Sequence, residues 1–280
     1  MTLFTLDRTA HHTRLHLVGD VVYLLTPKAA FRLIPGEAAH EQKLDLGETG
    51  VATPAGFVFW SQGALWLAPQ TGSAPGRLVE LERRPRLIVA VEEGLAWVER
   101  DEQGRDTIYR LRGGSPKNVY ASRGRVDAAT MIEDQVVFVE GVGDASWRLG
   151  AVSMPGGRRA FTRPRKGRSP TMLVAAGEIY YYDGYAAEVR AVSPDLQRER
   201  VVGGDVECSP IAVADRIYCA QGGGLFELPA GRGVPKAVLA NASARVVDIA
   251  ADNKRVVWVG QTRRGMLEVK LLARSDARAR

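Results

Sequence analysis

The chain has 280 residues, of which 45% are hydrophobic and 25% charged, with a formal charge of +6 and a pI near 9.5. This composition supports a large core and excludes a disordered chain; the lack of any run of about 18 apolar residues excludes a hydropathy-defined spanning helix. Two cysteines exclude a disulfide framework or a cysteine zinc site, and 38 basic against 32 acidic residues favour anionic partners only where the excess is clustered.

Taken from the N-terminus, Thr2–Leu6 ("TLFTL") reads as an apolar strand with no hairpin partner nearby. The opening "MTLFTLDRTAHH" has neither the basic start nor the apolar run of a secretory signal, so the sequence as written is expected in the cytoplasm, with export or envelope association as the alternative if a signal was removed. Beyond it one unit recurs. A short apolar run carrying an aromatic residue follows a tight turn in "GDVVYLL", "AGFVFW", "EGLAWVE", "EDQVVFVE", "AGEIYYYD", "ADRIYCA" and "KRVVWVG", placing Tyr23, Phe59, Trp97, Phe138, Tyr180, Tyr218 and Trp258 in register. The spacings are about 36, 38, 41, 42, 38 and 40 residues, the period of a four-stranded propeller blade.

The turns before these aromatics, from Gly19-Asp20 through Glu93-Gly94 and Glu133-Asp134 to Asp252-Asn253, are of the kind that closes hairpins. A second turn in most units is rich in Gly and Pro, as at Pro35-Gly36, Gly113 to Pro116, Pro155 to Gly157 and Pro229 to Gly233. Many runs are continuously apolar rather than alternating, which fits sheets covered on both faces. No helix-length window keeps helical spacing, so the chain reads as all-β.

The last unit offers "RVVDIAA", "RVVWVG" and "GMLEVKLL", three strands, before a polar C-terminal tail over 274–280. One strand is missing there and one is spare at the N-terminus. The expectation is a seven-bladed β-propeller of four-stranded antiparallel blades, one domain over about 2–273, with Thr2–Leu6 as the outer strand of the last blade; six blades is the alternative. The repeats "GALWLAP" with "TGSAPGRLVEL", "IYRL" with "GGSP", and "GLFELPAGRGVPKAVL" resemble those of bacterial YWTD-like and TolB-like propellers, although the Tyr-Trp-Thr-Asp tetrad is complete in no unit. That resemblance implies a recognition platform, often in exported or envelope proteins.

A catalytic reading finds little support in the residues. The four histidines, His11, His12, His16 and His40, all fall in or before the first blade. Asp127 and Asp248 stand near the starts of inner strands in blades four and seven, too few for a channel carboxylate or calcium site. Ser169-Pro170 and Ser209-Pro210 carry no nucleophile-elbow pattern. The expectation is therefore a non-enzyme with no catalytic residues, no metal and no cofactor. Cys208 and Cys219 fall on neighbouring strands of one hairpin; a bridge is within reach, but free buried thiols are expected.

Propeller topology sends blade-to-blade connections and the loops between second and third strands to one face. Arg83, Arg84, Arg123, Arg125, Arg163, Arg165, Lys166 and Arg168 fall on that face from three consecutive connections, and Arg100, Arg105, Arg263 and Arg264 from loops. Asp20, Glu92, Glu93, Glu133, Asp134, Glu178, Asp215 and Asp252 collect on the other. Trp147 and Tyr185, read as loop aromatics on the basic face, complete a candidate hot spot. The function expected is docking of a protein with an acidic surface through Arg83, Arg84, Arg123, Arg125, Trp147, Arg165, Lys166, Arg168, Tyr185, Arg263 and Arg264. Nucleic acid or an anionic polysaccharide is a less favoured partner, because the interleaved aromatic ladder of a nucleic-acid groove is missing; an enzyme using the channel carboxylates is the remaining alternative.

Overall fold

The structure, a computed structural model, describes residues 1–6, 13–44, 46, 49–71, 73–91, 94–112, 114–153, 157–204, 207–221, 224–228, 236–239 and 244–273. Among them the strands form seven antiparallel sheets and no helix. Each sheet has four positions from an inner to an outer strand. In blade four the outer position is shared by Arg159–Phe161 and Arg165–Lys166, which pair with successive parts of the third strand, Ser146–Ser153. The inner strands, Arg14–Val18, Val51–Thr53, Leu87–Val91, Val126–Ile132, Met172–Ala175, Ile211–Val213 and Ala244–Ala251, contact one another in sequence, and the last meets the first. The ring has seven blades, not six.

The continuous apolar runs are explained by the packing. Among the described residues seven buried clusters form, and each bridges two adjacent blades. Between blades four and five, for example, Val137, Val139, Trp147 and Leu149 meet Ile179, Tyr181 and Val192. Alternate residues of a strand face opposite neighbours, so both parities must be apolar. All seven aligned aromatics are buried, from Phe138 at 0% exposure to Tyr180 at 7%. Phe138 lies opposite Gly150, where a Cβ would stand 2.4 Å from its ring, so glycine at that position makes room for the aromatic.

The ring closes as the strand count requires. Thr2–Leu6 pairs antiparallel with Leu267–Ala273, setting Leu6 opposite Leu267, and the Met1 ammonium donates to the Leu271 carbonyl at 3.0 Å. Leu3, Phe4 and Leu6 are only half-buried, and the Phe4 ring lies 5.1 Å from that of Phe31 in blade one. The latch thus joins the first and last blades through side chains as well as backbone. The tail over 274–280, His11, His12, and the turns at Glu92, Glu93, Gly113, Pro155 and Pro229 to Gly233 lie outside the described residues.

Candidate interaction face

Three buried acids, which the sequence does not single out, organise the face that carries the blade connections. Asp106, at the start of a third strand in blade three, is fully buried and accepts from Arg86 (2.7 Å), from Arg100 (2.8 and 3.0 Å) and from the Val126 N–H of blade four (2.7 Å). Glu140 accepts from Tyr120 Oη at 2.9 Å, from Ser122 Oγ and the Arg123 N–H, and from Arg148 at 2.8 and 2.6 Å. Burial pushes the Glu140 carboxyl up, but the hydrogen bonds from Ser122, Arg148 and Tyr120 outweigh it and hold the group below the ordinary carboxylate range. Asp183 accepts from Arg165 at 3.3 Å and from the Tyr185 N–H at 3.2 Å, and lies 3.9 Å from Arg190. The first two acids tie one blade to the next, and the third ties blade five to the connection before it.

Several expected site residues are used up in this way. Arg165 reaches both Asp183 and Glu199, and it sits over the rings of Trp147 and Tyr181 at 5.9 and 6.0 Å. Arg125 pairs with Asp127, and Arg83 with Glu102 at 3.6 Å. Trp147 is no loop residue at all. It is the second residue of a strand, 1% exposed, edge-on to Tyr181 at 5.5 Å. The reason is that Val142 to Ser146 closes a tight turn, with the Val142 N–H donating to the Ser146 carbonyl at 2.7 Å, so the strand begins sooner than the Gly-Asp run suggests.

What stays on the surface is a smaller set. Arg84 is exposed and lies 5.4 Å over the Trp60 ring; Arg123, Lys166, Arg168, Arg263 and Arg264 are exposed and have no acidic partner among the described residues. Arg163, on the same connection as Lys166, is exposed in the same way. Tyr185 is 71% exposed. The opposite face is less acidic than its composition suggests, because Asp134 meets Arg110 at 3.5 Å, Glu178 meets Arg200 at 2.5 Å and Asp252 meets Arg255 at 3.0 Å.

Asp127 and Asp248 also serve the junctions. Ser169 Oγ, in the connection to blade five, donates to Asp127 at 2.5 Å. Asp248 accepts from the Leu15 N–H of blade one at 2.7 Å and from the Ile249 N–H at 2.9 Å. Burial raises its carboxyl to about 6 against the opposing effect of those donors and Arg14. Burial, with Arg14 nearby, lowers His16 to about 4. No group of three or more His, Cys, Asp or Glu side chains among the described residues is placed to hold a metal. Cys208 and Cys219 are not free thiols: they form a disulfide, Cα atoms 5.3 Å apart, because Ile211, three residues after Cys208, pairs with Cys219 and brings the connecting segment back to the second strand of blade six.

No protein-family model matches the chain, and no curated protein matches it. Solved structures share the fold at low identity. A puromycin hydrolase superposes with a TM-score of 0.68 at 16% identity over 94% of this chain and 53% of its own. An acylaminoacyl peptidase from Pyrococcus horikoshii gives 0.64 at 12% identity over 94% and 52%, and a chain of a mitotic checkpoint complex gives 0.69 at 8% identity over 97% and 94%. The chain spans about half the length of the two hydrolases. These likenesses establish the β-propeller fold. They also overturn the expectation of a non-enzyme: a propeller of this kind makes up about half of two hydrolase chains, so scarce histidines and carboxylates within the blades are no evidence against a role in catalysis.

Proposed function

We propose that the chain is a docking propeller that receives a protein partner on the face bearing its blade-to-blade connections. The observation that carries this reading is the set of exposed cations left there after the junction acids have taken their partners, with an exposed tyrosine among them. Unmatched cations attract an acidic surface during encounter, and a protruding aromatic supplies an anchor once contact is made. The mitotic checkpoint chain, of similar fold over nearly its whole length, is found in a protein complex. The bonded cysteine pair supports an oxidising compartment as the place of action.

A second reading rests on the half-length match: the propeller works alongside a hydrolase, either as part of a longer chain or as a separate companion. One experiment tests both. Photo-crosslinking residues placed at Arg123, Arg168 and Arg264, and on the opposite face at Glu133 and Lys254, are expected to trap one partner from the first set alone. A hydrolase as that partner favours the second reading; equal trapping from both faces refutes the docking assignment.

A further inference from the structure

Building on that docking assignment, we infer that the rim between blades four and five receives an extended acidic peptide segment of the partner, anchored on Tyr185. Arg163, Lys166 and Arg168 stand within six residues of sequence, are exposed, and have no acidic partner among the described residues. The acids that would neutralise them are already engaged beneath. Arg165 and Arg190 share Asp183 and Glu199, Arg190 also meets Glu188 at 2.5 Å, and the Tyr181 hydroxyl donates to Glu199. Asp144 is the exposed acid of the adjoining loop and leaves the rim with a net positive charge.

The loop that carries these cations is held in place. Ser146 and Trp147 pair in register with Lys166 and Arg165, and the Gly167 N–H donates to the Ala145 carbonyl at 3.0 Å. Gly167 has φ +104°, and a Cβ there would come within 3.1 Å of Tyr185 Cβ. The backbone therefore passes against Tyr185 in a conformation reserved for glycine, while the ring itself remains exposed. A fixed loop loses little freedom on binding, which favours affinity.

Geometry selects the occupant. From Arg163 to Arg168 the backbone can span at most about 16 Å, and the bend at Gly167 shortens that, so the cations fall within reach of a few residues of a partner segment. The cations lie along an exposed loop, which suits a segment better than a small anion. A single protruding aromatic provides an anchor but not the stacking series of a single-stranded nucleic-acid groove.

The test uses the full chain and a short fluorescein-labelled glutamate-rich peptide with a central leucine, followed by anisotropy at low and at physiological salt. Its lysine-rich counterpart and a single-stranded oligonucleotide of similar length are the comparison probes. The acidic peptide is expected to bind, K166E/R168E to weaken it about tenfold and flatten its salt dependence, and Y185A to speed dissociation about tenfold. K254E, on the opposite face, is expected to change binding less than about twofold, and melting curves of all variants are expected to match the parent. Absence of peptide binding, equal weakening by K254E, or tighter oligonucleotide binding overturns the inference. Partner trapping from Arg123 or Arg264 but not from Arg168 also overturns it while leaving the docking assignment standing.

Discussion

The inner strands of blades seven and one carry two titrating groups whose effects on stability run in opposite directions: Asp248, at the junction of those two blades, and His16, on the face of its strand that packs with Tyr23 towards blade two. Asp248 has its carboxyl raised from 3.8 to about 6, so the folded state holds that proton more tightly than the unfolded chain. Its contribution to stability is therefore largest below 3.8 and is lost as pH rises through 6. His16 is lowered from 6.5 to about 4, so the unfolded chain holds its proton more tightly. Its contribution is fully present above 6.5 and is lost as pH falls towards 4. Each shift corresponds to about 3 kcal/mol in full, and to about 2 kcal/mol between pH 6.5 and 4.5.

Across that window the two effects nearly cancel, and this pair leaves the parent protein's stability almost level. Asp248→Asn removes one of them and exposes the histidine: stability is expected to fall by about 2 kcal/mol on acidification from pH 6.5 to 4.5. His16→Asn exposes the acid, and stability is expected to rise by about the same amount. The assay is urea unfolding at several pH values, with free energies taken from midpoint and slope; thermal midpoints should move by roughly 4 to 8 °C. The double substitution should return a level profile. Parallel slopes in the two single variants, or a level profile in Asp248→Asn, would refute the argument that burial sets both groups.

Removing Met1 to Leu6 takes the outer strand from blade seven and uncovers the edge of Leu267–Ala273; the half-buried Leu3, Phe4 and Leu6 contribute about 1 kcal/mol each, and light scattering on heating should rise as the melting point falls. Trp147→Ala should cost about 3 to 5 kcal/mol in chemical denaturation while leaving partner association rates at parent values wherever the variant is folded, the reverse of what an exposed hot spot would show. Thiol titration of the unfolded chain should find no free thiol before reduction and two after it, and reduction should lower stability by about 2 to 3 kcal/mol for a loop of this length.

The blade period is legible in the sequence because the same requirement is imposed seven times. Each second strand must fill the space between its own sheet and the next, so Tyr23, Trp97, Phe138 and Trp258 recur although their neighbours vary. The ring closure is legible by counting, since three strands at one end and one at the other leave a single economical solution. The junction acids are not legible in the same way. Asp106 and Val126 lie twenty residues apart, as do Glu140 and Tyr120, and nothing in either local pattern says that blade packing will bring them within hydrogen-bond distance. A weak signal exists in "VFVEG" and "YYYDG", where an acid closes an otherwise apolar run just before the turn.

Arginines on the connecting segments therefore have two distinct uses that composition cannot separate. Arg86, Arg100, Arg148 and Arg165 offset acids buried at the blade tops, and such a pair is costly to break from one side because the remaining charge is left desolvated. Lys166 and Arg168 have no such partner among the described residues. A census of charge by face adds both kinds together and overstates the binding surface, and it fails in the same way on the acidic face, where Asp134, Glu178 and Asp252 already have arginine partners. Trp147 is misplaced for a related reason: a glycine-rich run reads as a long loop unless the alternation of Trp147, Leu149 and Ala151 towards one neighbouring blade is recognised first. The residues available for recognition are those left after the fold's own electrostatic and packing demands are met, and in a ring of junctions those demands fall mainly on the connecting face that also offers the docking surface.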